Sequence, residues 1–117
     1  MLKVTTLDHL VLTVANIDKT VAFYSNCLGM DVLEFDAADG SKRKALVFGP
    51  HKINLHAADG PFRPHANRPM PGTADLCLIT DSPLSDWVTH WDDCGIALLD
   101  GPVQRTGARG PMMSLYI

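Results

Sequence analysis

Cysteine is scarce in this chain. Cys27, Cys77 and Cys94 are an odd set with no C-x-x-C pair, which argues against a disulfide framework and a zinc–thiolate centre and leaves small apolar side chains in a reducing compartment. Aromatic residues make up only 7%, which weighs against an aromatic cleft built to sequester a drug or metabolite. Basic residues do not predominate: the formal net charge is −3, so the basic stripe that nucleic-acid binding needs is missing. No apolar run approaches the ~18 residues that span a bilayer. The opening MLKVTTLDHL lacks a secretory-signal pattern. These absences point to a cytoplasmic protein with a small-molecule partner and neither nucleic acid nor membrane.

What the chain does have is a repeat. At an offset of 66 residues, 8–34 (DHLVLTVANIDKTVAFYSNCLGMDVLE) overlays 74–100 (ADLCLITDSPLSDWVTHWDDCGIALLD) without a gap. Leu10 falls on Leu76, Leu12 on Leu78, Gly29 on Gly95 and Glu34 on Asp100. With 46% hydrophobic residues over 117 positions, the expectation is one domain, 1–117, made of two half-domains. The first module is placed at 4–57, a linker at 58–72 and the second module at 73–117.

Local patterns give each module its elements. Residues 7–14 alternate as a strand, with Leu10, Leu12 and Val14 on one face and His9, Val11 and Thr13 on the other. Asp18 offers a helix cap, Ile17 a hydrophobic staple and Gly29 a left-handed stop. Strands follow at 30–36, 44–48 and 52–57, broken by Asp39-Gly40 and Gly49-Pro50. In the last of these, Ile53 and Leu55 share a face and Asn54 and His56 the opposite one. Pro61, Pro64, Pro69 and Pro71 keep the linker irregular.

The second module opens with a strand at 74–80. Ser82-Pro83 starts a helix whose Leu84, Trp87, Val88 and Trp91 form a core face. A strand at 96–99, resuming through 103–105, and a last one at 112–117 complete it. Both modules thus read as β-α-β-β-β, except that the second lacks a counterpart to the strand bearing His56. The offset carries His56 to position 122, past Ile117. Because losing an interior strand strips backbone partners from both neighbours, the pattern reads as a chain without its natural tail.

The fold class is therefore α+β: two tandem βαβββ modules forming a cupped mixed β-sheet with helices outside. With the leucine faces against the helices, His9 and His56 of one module and Asp75 of the other converge on the cupped face. Asp75 overlays His9. Two imidazoles and a carboxylate suit a divalent metal such as Ni, Zn, Mn or Fe, with coordination positions left open. Asn54 and Ser114 are expected to orient a substrate, and Arg105 or Arg109 in the glycine-rich segment 105–114 to hold an anionic group, the alternative there being a plain hairpin turn. His51, His65 and His90 have no such symmetric partner and are read as solvent-facing.

These residues match a known pattern. The chain resembles the vicinal oxygen chelate superfamily of glyoxalases, bleomycin-resistance proteins and dioxygenases through LDHLVLTVANIDKTVAFYSNCLGMDV. Within it, RKALVFGPHKINLHAADGPFRPHANRPMPGTADLCLIT and GPVQRTGARGPMMSLYI look most like the glyoxalase domain-containing protein 5 group of lactoylglutathione-lyase-like proteins. The resemblance implies metal ligands at His9, His56 and Asp75, and a glutamate acting as general base on a strand beyond Ile117. The chain departs from glyoxalase I by having histidine at 56 and a carboxylate at 75, where that enzyme has them the other way round. What is implied is a metal-dependent lyase or isomerase acting on a small oxygen-chelating substrate. The alternatives are a metal-free sequestering protein of bleomycin-resistance type and an Fe(II) extradiol-type dioxygenase. A homodimer is expected, with modules closing within one chain or across two.

Overall fold

The computed structural model describes residues 1–117, and the chain divides into two compact units, Met1–Leu76 and Cys77–Ile117. The first contains β1 (Leu10–Val14), α1 (Ile17–Leu28), β2 (Asp31–Asp36), β3 (Lys42–Phe48) and β4 (His51–Ala57). Its sheet runs in the order β1-β4-β3-β2. β1 and β4 are parallel, with Leu10 beside Ile53 and Leu12 beside Leu55, and the other pairs are antiparallel. This is a mixed sheet in which a parallel neighbour is reached by a long crossover, and α1 supplies much of that crossover.

The alternation along β4 decides what each face does. Leu12, Met30, Leu46, Ile53 and Leu55 are buried together, with Val21, Tyr24 and Leu28 of α1 against them. The even-numbered side chains of β4 turn to the opposite face. The helix is capped by Asn16, whose side chain accepts a hydrogen bond from Lys19 N–H at 2.8 Å. Asp18 lies inside the first turn instead, so the expected cap moves two residues towards the N-terminus. Gly29 ends the helix at φ +69°, its N–H donating to the Ser25 carbonyl and the Met30 N–H to that of Tyr24, the left-handed stop that its lack of a Cβ permits.

The second unit contains α2 (Leu84–Asp93) and the hairpin β5 (Asp100–Gly107) and β6 (Gly110–Tyr116). Trp91 is buried, and Trp87 lies tilted against it at 5.7 Å while its indole N–H donates to Thr80 Oγ1 at 2.9 Å. Gly101 has φ +103°, and a Cβ there would come 2.4 Å from the Ser114 carbonyl oxygen. Only glycine fits so close to the neighbouring backbone.

Two sequence expectations need correction. Residues 74–80 form no strand, and neither do 96–99; the hairpin strand starts only at Asp100. In the first case the segment has no strand paired to it: β1 pairs with β4, whereas 74–80 join neither sheet. An extended segment without a partner earns no ladder hydrogen bonds. Leu76 packs against the core of the first unit.

Leu46, with no exposed surface, sets the scale of the core. Leu46→Ala is expected to lower the unfolding free energy by about 2–5 kcal/mol in a urea melt. Asn16→Ala, which removes the cap, is expected to lower it by about 1 kcal/mol in the same measurement.

Candidate functional site

The site is built on the face of the first sheet away from α1. Its centre is His56 on β4, which is 4% exposed because the strand lies between β1 and β3. Phe62 packs edge-on against its ring at 5.5 Å. Neither His56 Nδ1 nor Asn54 Oδ1, two residues earlier on the same face, has a hydrogen-bond partner, although both atoms are buried. Each such atom costs about 1–3 kcal/mol if nothing meets it, and two side by side mark a place where a ligand is expected.

Electrostatics keep this imidazole uncharged. Burial lowers the pKa of His56 below the ordinary histidine value, and the charges of Arg43 and His65 act in the same direction. A neutral ring has a bare nitrogen lone pair, the form that binds metals. The orphaned atoms and the neutral ring therefore fit a cation with open coordination positions.

His9 lies just before β1 and is exposed. Its Nδ1 is 2.7 Å from Asp8 Oδ2, leaving Nε2 to face a ligand. A carboxylate on one ring nitrogen is the usual way to orient a ligating histidine. Asp75 is exposed in the segment that forms no strand. Within this chain no three His, Cys, Asp or Glu side chains come together to hold a metal ion. His9, His56 and Asp75 thus do not come together as a three-ligand set within this chain.

The remaining expected residues are on the hairpin of the second unit. Arg105 is engaged locally: its Nε donates to Tyr116 Oη at 3.2 Å, its Nη1 to the Gln104 carbonyl at 3.0 Å, and Nη2 is 3.7 Å from Asp100. Arg109 is exposed in the turn between β5 and β6, and Ser114 is half-buried on β6 opposite Val103. Of the other histidines, His51 opens β4 against the Phe48 ring at 5.5 Å. His65 is in the linker with Nδ1 2.8 Å from the Ala66 carbonyl. His90 is half-buried rather than open to solvent, with Trp87 at 5.9 Å and Cys94 Sγ at 3.7 Å.

Sequence reasoning missed Arg43, Lys52 and Phe62. The β2–β3 register puts Phe35 opposite Arg43, and continuing the β3–β4 register from Ala45 beside Asn54 aligns Arg43 with His56. Arg43 is stacked on Phe62 at 3.8 Å and Lys52 on Phe35 at 3.9 Å. Alternation along β3 could have flagged Arg43, but only strand pairing shows that it faces His56.

The first unit is thus a βαβββ module that carries a buried, unpartnered histidine nitrogen and amide oxygen on the sheet face away from its helix. The chain belongs to the Glyoxalase/Bleomycin resistance protein/Dioxygenase superfamily, whose model matches residues 6–108. It is 50% identical to virulence protein STM3117 of Salmonella typhimurium over 95% of this chain and 74% of that protein. To the glyoxalase domain-containing protein RDO1 of Mycosarcoma maydis it is 47% identical, over 99% of this chain but only 63% of that protein. The solved structure of an integron cassette protein from V. cholerae is similar with a TM-score of 0.91 and 49% identity, covering 99% of this chain and 88% of that one. Two more distant structures share the fold alone. They are a lactoylglutathione lyase from Agrobacterium tumefaciens (TM-score 0.58, 19% identity, 92% of this chain and 82% of that one) and a FosX fosfomycin-resistance protein from Listeria monocytogenes, solved with Mn(II) (TM-score 0.58, 15% identity, 97% and 85%). No helix is long and apolar enough to cross a membrane.

The lowered pKa of His56 has a sign that can be checked. The unfolded ring accepts a proton near pH ~6.5, whereas the folded ring resists it until lower pH. The unfolded state therefore binds more protons as pH falls below that value, and stability declines. Urea melts at stepped pH are expected to show this decline, and His56→Gln is expected to reduce its slope. An NMR titration placing His56 at or above the unfolded value would contradict the assignment.

Proposed function

We propose that the protein is a metal-dependent lyase or isomerase of glyoxalase type, acting on a small substrate that offers two adjacent oxygens. The observation that carries the reading is the pair of buried, unpartnered atoms His56 Nδ1 and Asn54 Oδ1 on one strand face. His9 and His56 are the ligands from the first unit. Asp75 is supplied by a second copy, and this is why one chain gathers no three-ligand set. Support comes from two unmatched backbone edges: the outer edge of β1 has no neighbour in the sheet, and 74–80 form no strand. Unmatched edges favour symmetric pairing between copies, so the working form is a homodimer.

When bound, a divalent metal of the Ni, Zn, Mn or Fe kind polarises a carbonyl oxygen and stabilises negative charge that develops on it. FosX, a superfamily relative by fold, was solved with Mn(II), which supports a metal of this class. The chain's own residues prepare the site. Burial keeps His56 neutral, Asp8 fixes the ring of His9, and the Asn54 amide orients the substrate's oxygens. On the hairpin of the second unit, Ser114 and Arg109 are further candidates for substrate contact, and Arg105 is held by Tyr116.

Metal analysis of purified protein is expected to find about one divalent ion per chain, Asp8→Ala to weaken its binding about 10–100-fold, and His56→Ala to weaken it further. Isomerase turnover with hemithioacetal substrates is expected to vanish on chelation and return with metal. Turnover that survives complete metal removal would refute the reading. Unchanged ligand affinity without metal, and no turnover, would favour the sequestering alternative. Light scattering is expected to give twice the 12.7 kDa chain mass, and a monomer would remove the shared site.

A further inference from the structure

Two cations stand on the face that carries His56 and Asn54, in a chain whose formal net charge is −3. Arg43 is half-buried and clamped from one side by the Phe62 ring at 3.8 Å. Its Nη2 is 3.4 Å from Asp39 Oδ2 and its Nε 3.5 Å from Ser41 Oγ, and Nη1 is left without a hydrogen bond. Both contacts are at the long limit for strong bonds, and Asp39 is mostly exposed at 57%. Lys52 is half-buried over Phe35 at 3.9 Å and has no carboxylate partner. Lys52, Asn54 and His56 alternate along β4 and so share one face.

A metal at His56 would be repelled by Arg43. A guanidinium beside a cation site is unfavourable unless an anion sits between the two. Aromatic stacking fixes both cations with little rotamer freedom left to lose, which suits recognition of a planar or tetrahedral oxyanion. The unpartnered Asn54 Oδ1 is an acceptor and would take a hydroxyl of the incoming group, leaving the anionic end to the Arg43 fork.

We infer that Arg43 and Lys52 form an oxyanion clamp on this sheet face, so that the substrate carries a carboxylate or phosphonate beside its chelating oxygen. This names the substrate class of the site proposed above, and it rests on that site. The clamp also makes metal and anion bind with mutual assistance, since each offsets the charge that opposes the other.

The test uses three small probes that share a hydroxymethyl group: glycolate, hydroxymethylphosphonate and the neutral glycolamide. Binding to the intact metal-free protein is followed by NMR of the Arg43 side-chain N–H and the Phe62 ring. At least one of the anions is expected to bind about tenfold more tightly than the amide. The tighter of the two identifies the oxyanion. Arg43→Gln and Lys52→Gln are each expected to reduce that preference at least about threefold, with Arg43→Lys restoring it in part. Lys42→Gln, on the exposed Asp36 pair, is expected to leave it unchanged. Urea melts check that each variant folds. A parallel Mn(II) titration, with and without the favoured anion, is expected to show tighter metal binding in its presence for the wild type, and no such gain for Arg43→Gln. Equal affinity for anions and amide, or an anion preference that survives Arg43→Gln in folded protein, would overturn the clamp. Anion preference in a protein that binds no Mn(II) would instead remove the metal reading and keep the clamp.

Discussion

Strand β4 is paired along both edges and buried on its core face and at His56, and that constraint organises the first unit. Its neighbours β1 and β3 cover its edges, its Ile53 and Leu55 are committed to the core under α1, and its alternate residues have nowhere to go but the opposite face. A strand so enclosed would ordinarily be apolar on both sides. Placing Asn54 and His56 there costs desolvation, and a protein keeps such an arrangement only where something other than stability is gained. Burial then acts a second time, because it is the same loss of water that holds His56 neutral.

The opposing requirements of the two faces explain the neighbours as well. Arg43 and Lys52 are tolerated near a buried imidazole because each lies on an aromatic ring, Phe62 and Phe35, where a cation gains attraction without full hydration. Under the proposed clamp their presence sets what the face accepts: a metal alone would be opposed by Arg43, and an anion alone would leave the histidine unpaired.

Much of this was legible beforehand. The duplication, both helices, the α+β class and the alternating face of 52–57 follow from period and punctuation, which are local properties. The helix cap shifted from Asp18 to Asn16 because either residue type can cap and spacing does not choose between them. The strand expected at 74–80 failed for a non-local reason: alternation reports that a segment is able to pair, not that a partner is present. The same limit applies to the site. His56 and Asn54 were found because they sit two apart on one strand, whereas Arg43 is 13 positions from His56 and joins it only through the register of β3 on β4. Asp75 overlays His9 by repeat arithmetic, but arithmetic fixes position in a module and not which copy of the chain completes the centre.

Phe62 carries one last implication. It belongs to the proline-rich connector between the repeats, yet it touches both Arg43 and His56. Hinges between duplicated halves usually drift fastest in evolution because nothing but length matters in them. Here a single benzyl group ties the connector to the chemistry, so position 62 is held more tightly than a connector residue ordinarily is. Divergent descendants of this fold would reveal a change of substrate at that one linker position before any ligand was altered.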